Sequence, residues 1–344
     1  MSHIVASSRP LRTVTFPKIA EYDQYLLPDQ GWAPITFPPN DPVQESLKML
    51  FRSSKTFFDL PLEEKDKYKT SFGSEEGWSK VEGEKEMITL RTIDNTPEQL
   101  KEAAERCWSL AGRYVNELLE CVATSLDLPE EALCKFSTPC LSLDDVKRAT
   151  MLRLFRYEVH EDKVVAEAHN DLGLLSLVMS DTPGLEVWDR SVQGWCDLER
   201  QCGKPIVMSG RQLQRLSNGH YGPGGHLVRS YGQSAWTETR NPLAIDGVSN
   251  PRYRYSIVFI LRAHWPVPID SDELSSEVTG KFTTPMKAIT AKDLFFQIKK
   301  NHYNINANLE DRNEQRKNID SLKKAQQERG EANEQPELQI EASG

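Results

Sequence analysis

The residues best suited to chemistry in this sequence are a histidine and an aspartate two positions apart, His169 and Asp171. They follow an apolar run that ends at Ala168, and a second apolar run begins at Leu174. On an extended chain, residues i and i+2 point to the same face, so we expect the imidazole and the carboxylate to converge. One further histidine would complete a two-histidine, one-carboxylate site, which binds Fe(II) and leaves coordination positions open. The sequence therefore predicts part of a metal site here.

The third ligand has two candidates, His220 and His226, which lie in the glycine-rich stretch 216–228. His264 follows the last predicted strand and His302 lies near the last predicted helix, so both are poor choices. Residue types alone leave the choice between the first two histidines open.

A second H-x-D triplet, His160-Glu161-Asp162, competes with the first. It lies in a polar cluster, 158–163, which is typical of a turn between two strands. Because no apolar strand flanks it on each side, we expect solvated charges there and no metal ligands. The glycines and proline of 222–225 do not lie between a strand and a helix start, so they do not indicate phosphate binding.

The elements that must position these residues change character near Thr150. Upstream, the apolar residues recur at helical spacing, and Asp41-Pro42 and Thr96-Pro97 are typical helix starts. The longest predicted helix runs from Thr96 to the Leu128-Pro129 pair, and we expect it to serve packing only. The stretch 70–83 is predicted to be a polar loop.

Downstream, short segments with strand composition alternate with turn signals. These predicted strands are 151–157, 164–168, 174–179, 185–188, 206–208, 213–216 and 255–261. Such a pattern favours an antiparallel sandwich or jelly roll. Thr290 to Asp293 predicts the cap of a last helix, and the polar chain after Asn308 predicts a solvated helix or disorder.

Composition excludes several functional classes. The net charge of −9 provides no basic surplus for nucleic acid, and no apolar run has the length of a membrane helix. Six cysteines occur without a C-x-x-C pair, so neither a zinc ribbon nor a thioredoxin motif is predicted. The N-terminus lacks the pattern of a secretory signal, and we expect a cytoplasmic protein with no membrane partner.

The ordered motifs of the chain resemble those of the isopenicillin N synthase-like family of Fe(II)/2-oxoglutarate-dependent oxygenases. The family's H-x-D corresponds to 169–171, its L-S-N-G-x-Y to 216–221 and its R-x-S to 254–256. In that family the second metal histidine follows the asparagine by eight residues, which here is His226. The resemblance covers about residues 30 to 305.

The resemblance implies a double-stranded β-helix (jelly-roll) fold in which His169, Asp171 and His226 are both metal ligands and catalytic residues. Fe(II), 2-oxoglutarate and O2 would be required, and ascorbate is left open as a further cofactor. Oxidative decarboxylation to succinate and CO2 would drive hydrogen abstraction from a small molecule, giving hydroxylation, desaturation or rearrangement. We expect a substrate from secondary metabolism.

The same resemblance assigns the far carboxylate of 2-oxoglutarate to Arg254 and Ser256, with a further hydrogen bond from Tyr157. A guanidinium suits this role because it is always charged and presents parallel donors. Because Ser256 lies two residues further along the same strand, its hydroxyl is expected on the same face.

Three features depart from the family pattern. Leu227 stands where an arginine usually follows the distal histidine, and Phe155 stands where many relatives have asparagine. The gap between His226 and Arg254 is longer than usual, and we predict that 229–251 forms a lid over the substrate.

The whole chain is therefore predicted to be an α+β, mainly β protein with N-terminal helices, one long helix, a jelly-roll core and a C-terminal helix. Its predicted parts are an N-terminal helical region (1–145) that packs on the core, an oxygenase domain (146–305) and a polar tail (306–344). Two alternatives stay open: an Fe(II) oxidase that does not use 2-oxoglutarate, and a non-catalytic metal-binding jelly-roll protein. The oligomeric state is not predicted.

Overall fold

A computed structural model of the chain describes residues 9–71, 74–158, 161–198, 204–232 and 252–328. Its α-helices are α1 (Leu26–Gln30), α2 (Pro42–Phe58), α3 (Leu62–Asp66), α4 (Lys101–Ser125), α5 (Glu131–Cys134), α6 (Arg211–Leu216), α7 (Ala291–Lys299) and α8 (Leu309–Glu328). Two short 3-10 helices span Glu21–Asp23 and Thr138–Cys140.

Thirteen strands form within the described ranges. They are β1 (Trp32–Pro34), β2 (Gly77–Val81), β3 (Lys85–Leu90), β4 (Met151–Glu158), β5 (Asp162–His169), β6 (Leu175–Ser180), β7 (Leu185–Asp189), β8 (Gly194–Asp197), β9 (Ile206–Ser209), β10 (His226–Tyr231), β11 (Tyr253–Leu261), β12 (Pro268–Ile269) and β13 (Ile289–Thr290).

Two antiparallel sheets form the centre of the molecule. The large sheet has the order β1-β9-β6-β11-β4-β3-β2, and the small sheet has the order β5-β10-β7-β8. Strands β4 to β11 thus supply four strands to each sheet, which confirms the predicted double-stranded β-helix. Strands β12 and β13 form a separate two-stranded ribbon.

Side chains on the two faces of the large sheet belong to two different hydrophobic cores. On β4, Leu152 and Leu154 belong to the core shared with the helices, whereas Phe155 and Tyr157 belong to a smaller core between the sheets. Because successive side chains of a strand point to opposite faces, one strand serves both cores. The face toward the small sheet is the one that also carries the candidate site residues.

The long helix α4 has the packing role that its periodicity predicts. Together with α2 it covers the large sheet. Its apolar positions and the flanking leucines are completely buried: Leu100, Ala104, Cys107, Ala111, Val115, Leu118, Val122 and Leu126. Each large aliphatic side chain buried in this way contributes about 1.5–3 kcal/mol.

Two of the three predicted helix caps are confirmed. The Asp41 carboxylate accepts the backbone N–H of Val43 at 2.8 Å, and Thr290 forms a capping box with Asp293. The Thr96 cap is wrong, because its hydroxyl donates to the Thr92 carbonyl and α4 begins only at residue 101. Residues 97–100 form a turn in which the carbonyl oxygen of Pro97 accepts the N–H of Leu100. The start signal therefore marks this turn and not the helix itself.

Two segments differ from the sequence prediction. Residues 213–216 belong to helix α6 and not to a strand, because Gly210 ends β9 and its carbonyl accepts the N–H of Gln214. A segment of four residues, of which only Leu213 and Leu216 are apolar, is too short to distinguish the two states by its periodicity. The predicted polar loop 70–83 contains strand β2, an edge strand whose polar residues suit its exposed position.

The chain after Asn308 forms helix α8 through residue 328, so the helical alternative is observed for the described part of the tail. At the other end of the chain, strands β1, β2 and β3 extend the large sheet. The N-terminal 145 residues therefore contribute strands as well as helices to the core. The division into three parts stays a prediction.

Several predictions concern residues outside the described ranges. They are His160 of the second H-x-D triplet, most of the expected lid (233–251) and the tail beyond residue 328. Within the described residues, no helix is both long and apolar enough to cross a membrane.

Candidate active site

The pairing of β5 with β10 brings the two histidines of the candidate metal centre together. His226, the first residue of β10, lies directly opposite His169, the last residue of β5. Their ring centroids are 4.1 Å apart, and a ligand atom from each lies within 4.8 Å of a carboxylate oxygen of Asp171. These three residues thus form a compact group with the donor set of a facial Fe(II) site.

Backbone carbonyls fix the orientation of both imidazole rings. Nδ1 of His169 lies 2.7 Å from the carbonyl oxygen of Glu167, and Nδ1 of His226 lies 3.1 Å from that of Gly224. A carbonyl oxygen only accepts hydrogen bonds, so Nδ1 carries the proton in each ring. In each ring Nε2 is therefore the nitrogen left to bind a metal ion.

Electrostatics favour the protonation states that a metal ion requires. Burial, followed by the neighbouring His226, lowers the pKa of His169 well below its ordinary value, which keeps this imidazole neutral. Burial raises the pKa of Asp171, but the two histidines outweigh it and lower the pKa, so the carboxyl is ionised. Metal ligands must be deprotonated in this way before they coordinate.

One carboxylate oxygen of Asp171 fits a bound cation. Its Oδ2 is buried and has no hydrogen-bond partner among the described residues. An ionised oxygen buried in this state is costly unless a positive charge approaches it.

Irregular pairing at Val228, which lies opposite Ala166 in β5, marks a bulge beside the site. Bulges are common next to active sites, where they redirect side chains.

The co-substrate residues proposed from the sequence also lie together. Arg254 of β11 pairs directly opposite Tyr157 of β4, and its guanidinium lies 5.4 Å from the centre of the tyrosine ring. Ser256 follows on the same face of β11, and all three side chains line one cavity. All three residues are buried. A buried, fixed guanidinium beside two hydroxyls can bind a carboxylate.

Residues that the sequence did not single out hold Arg254 in place. Its guanidinium donates to the carbonyl of Thr182 at 3.1 Å and to the hydroxyl of Ser180. Gly184 lies against its stem with φ +154°, and a Cβ added there would lie 2.8 Å from Nε of the arginine. The turn Asp181-Thr182-Pro183-Gly184 between β6 and β7 therefore positions this side chain.

One cavity is lined by the candidate metal ligands and the candidate co-substrate residues. Its remaining wall is mainly apolar, with two polar exceptions, Arg153 and Asn306. Arg153 alternates with Phe155 and Tyr157 on one face of β4, so strand periodicity could have identified it. Asn306 gave no such signal, because it lies in a polar segment after α7.

The remaining candidates and departures lie outside the metal group. His220 is not part of the metal-ligand cluster, and its pKa is lowered by burial. Leu227 is buried in the strand next to His226. Phe155 stacks on Tyr157 with ring centroids 5.3 Å apart. Phe155, which stands where many relatives have asparagine, thus gives Tyr157 an apolar contact.

A match to a protein-family model identifies the family of the central strands. Residues 148–263 match the model described as the 2OG-Fe(II) oxygenase superfamily. This segment belongs to that superfamily. The matched range contains His169, Asp171, His226 and Arg254, and it confirms the resemblance seen in the sequence.

Comparison with solved structures gives the same fold for most of the chain. A full-length Neurospora crassa protein in complex with alpha-KG and 5-formyluracil is 18% identical, with a TM-score of 0.60 over 79% of this chain and 86% of that one. JOX2 in complex with 2OG, Fe and JA is 17% identical, with a TM-score of 0.57 over 79% and 77%. The dioxygenase for auxin oxidation in rice is 18% identical, with a TM-score of 0.53 over 78% and 85%. No curated protein matches the chain.

The oxygenase segment identifies the chain as an oxidoreductase, a 2-oxoglutarate-dependent dioxygenase. Its cofactor is Fe(II) and its co-substrates are 2-oxoglutarate and O2. The donor set of the His169, Asp171 and His226 group fits Fe(II), since it combines two imidazoles with one carboxylate.

Proposed function

We propose that His169, Asp171 and His226 hold the catalytic Fe(II), and that Arg254, with Ser256 and Tyr157, binds the far carboxylate of 2-oxoglutarate. The observation that carries this proposal is the presence of all six side chains in one cavity. Fe(II) held there would supply the centre at which O2 oxidises both 2-oxoglutarate, to succinate and CO2, and the substrate.

The protein's own residues bind and orient the reactants in this proposal. The two imidazoles present Nε2 to the iron because their Nδ1 protons are held by backbone carbonyls. Arg254 fixes one end of 2-oxoglutarate, which directs its other end toward the metal. The apolar walls of the cavity keep water away from the reacting groups.

We propose further that the substrate is a small molecule, from secondary metabolism, that undergoes hydroxylation, desaturation or rearrangement. The cavity is lined mainly by apolar side chains with a few polar groups among them, which is the usual lining of a small-molecule site. The structures of the Neurospora crassa protein with 5-formyluracil and of JOX2 with JA support a small substrate. A cytoplasmic location also belongs to this proposal.

The metal ligands can be tested by binding measurements. We expect Asp171→Ala and His226→Ala each to lower the affinity for Fe(II) by at least about a hundredfold, since even residues behind metal ligands contribute tenfold to a hundredfold. The control is His220→Ala, which removes the competing histidine. Anaerobic titration calorimetry with Fe(II) measures the affinities. Unchanged affinity in the first two variants would contradict the assignment.

The co-substrate can be tested by its consumption. We expect succinate to appear only when Fe(II), 2-oxoglutarate and O2 are all present. Substrate oxidation without 2-oxoglutarate would instead support the alternative oxidase, in which Arg254 and Ser256 hold a carboxylate of the substrate. Mass spectrometry of reactions with and without 2-oxoglutarate separates the two functions.

A further inference from the structure

The chain that follows α7 returns to the active-site cavity. Residues 303–316, which we call the C-terminal wall, include the end of the connection and the start of α8. Ile305 and Asn306 of this wall line the same cavity as His169 and Arg254. A segment far from the oxygenase motifs in sequence therefore forms part of the space in which a substrate must lie.

Hydrogen bonds to two core strands anchor the C-terminal wall. Nζ of the buried Lys85, in β3, donates to the carbonyl oxygens of Ile305 at 3.2 Å and of Val165 in β5 at 3.3 Å. The hydroxyl of Tyr303 donates to the Glu167 carboxylate at 2.9 Å. The wall is thus joined to the strand that carries a candidate metal ligand.

A buried arginine adds an ionic latch to these contacts. Arg312 is only 2% exposed, and its guanidinium pairs with Glu84 at 2.6 Å and Glu167 at 3.0 Å. Arg316 pairs with Glu167 as well. A buried guanidinium requires such partners, and removing one of them is strongly destabilising. Because the tail is too polar to fold by apolar burial, these ion pairs determine where it docks.

Asn306, which lines this cavity, carries an unsatisfied polar atom. The residue is 8% exposed, and its Oδ1 is buried without a hydrogen-bond partner among the described residues. Buried polar atoms normally have partners, so an exception in a ligand cavity indicates a group that the ligand satisfies. An amide oxygen accepts hydrogen bonds, so the complementary ligand group is an N–H or O–H donor.

We propose that the C-terminal wall completes the active site and that Asn306 selects substrates with an N–H or O–H donor, which donates to its carboxamide oxygen. The ion pairs of Arg312 hold Asn306 in this position. The proposal rests on the proposed function, because it takes the cavity to be the substrate site. It adds a specificity-determining residue and a chemical requirement on the substrate.

The position of the wall can be tested by hydrogen–deuterium exchange on the full-length chain loaded with Zn(II) and 2-oxoglutarate. We expect Arg312→Ala to increase exchange in 303–312 at least fivefold, because the latch is lost. Glu84→Gln removes only one of its ion pairs and should have an intermediate effect. Lys317→Ala, at an exposed position of the same helix, is the matched control. Equal exchange in the Arg312 variant and this control would overturn the docking.

The role of Asn306 can be tested with two pairs of probes on the same zinc-loaded chain. Indole and phenol carry a donor, whereas 1-methylindole and anisole do not. We expect the wild-type chain to bind the donor of each pair about threefold to tenfold more tightly, the range of one hydrogen bond. Asn306→Leu, which keeps the size of the side chain, should abolish this preference. Asn318→Leu, at an exposed site, should retain it.

The outcomes of these titrations, measured by ligand-observed NMR, are distinct. The same binding of both members of each pair to the wild-type chain, or a preference that survives in Asn306→Leu, would overturn the specificity role. Failure of the wild-type chain to bind Zn(II) or 2-oxoglutarate would contradict the proposed function instead. In that case the same exchange comparison, made on the chain without Zn(II) and 2-oxoglutarate, would still report on the wall.

Discussion

The orientation of each candidate metal histidine is set by a carbonyl only two residues earlier in the chain. Glu167 supplies the carbonyl for His169, and Gly224 supplies it for His226. The choice of tautomer is therefore local, and it does not depend on a distant acidic residue. By contrast, Arg254 is held by Thr182 and Ser180 from another strand and its turn. The proposed co-substrate site thus depends on tertiary structure at the level of one side chain.

A prediction at the scale of the residue concerns Arg254. We expect Arg254→Lys to weaken 2-oxoglutarate binding by about 10- to 100-fold, because an ammonium cannot reproduce the paired donors of a guanidinium. Ser256→Ala, which removes one neutral donor, should have a smaller effect. Calorimetry on the zinc-loaded chain measures both dissociation constants. Equal affinity in the lysine variant and the wild-type chain would exclude the proposed carboxylate site.

Ion pairs between elements connect the N-terminal region to the oxygenase sheet. Glu75, which precedes β2, pairs with Arg262 after β11 at 2.8 Å and lies 3.7 Å from Arg153 in the cavity wall. Burial raises the pKa of Glu75, but the charge and hydrogen bonds of Arg262, together with Arg153, outweigh it and hold the pKa well below the ordinary value of 4.5. The ionised Glu75 carboxylate therefore stabilises the position of Arg153 in the cavity wall.

This depressed pKa predicts a specific pH dependence of stability. A carboxyl with a lower pKa in the folded state contributes stability above its unfolded pKa and loses it as the pH falls through the folded value. We therefore expect Glu75→Gln to be less stable than the wild-type chain at pH 7. The difference should shrink as the pH falls below about 4.5. Urea unfolding at several pH values measures it, with the exposed Glu105→Gln as control. A difference independent of pH would refute the ionic origin.

One hydrophobic core joins the helices and the large sheet across the whole molecule. Residues from α2, α4, β4, β6 and β11 belong to it, as do residues of the connection that leads to α7. Trp108 of α4, for example, packs edge-on against Phe259 of β11 with ring centroids 5.4 Å apart. We therefore expect the N-terminal helices and the oxygenase sheet to unfold together.

Cooperative unfolding can be tested with Leu118, which is completely buried in α4. We expect Leu118→Ala to lower the free energy of unfolding by about 2–5 kcal/mol and to shift a single calorimetric transition. Leu62→Ala, at a residue that is 54% exposed, should change stability by less than about 0.5 kcal/mol. Two transitions, only one of them shifted by Leu118→Ala, would show that the N-terminal region is an independent unit.

The sequence alone determined the chemistry and the class of fold, because both depend on short-range patterns. The spacing of His169 and Asp171, the strand periodicity and the order of the motifs all survive in the structure. The prediction of secondary structure from sequence failed where neighbouring residues carry no decisive signal. Segment 213–216 is a helix because of how its backbone is bonded around Gly210, and β2 exists because it pairs with β3.

Only the tertiary structure decided which distant residues share the cavity. The register of β5 and β10 places His226 opposite His169, and no local pattern specifies a register between strands this far apart. The same is true of Asn306, whose polar segment predicts only solvation until Arg312 is seen in its buried ion pairs. Local sequence thus specifies the candidate site residues, whereas long-range packing specifies which other side chains lie next to them in the cavity.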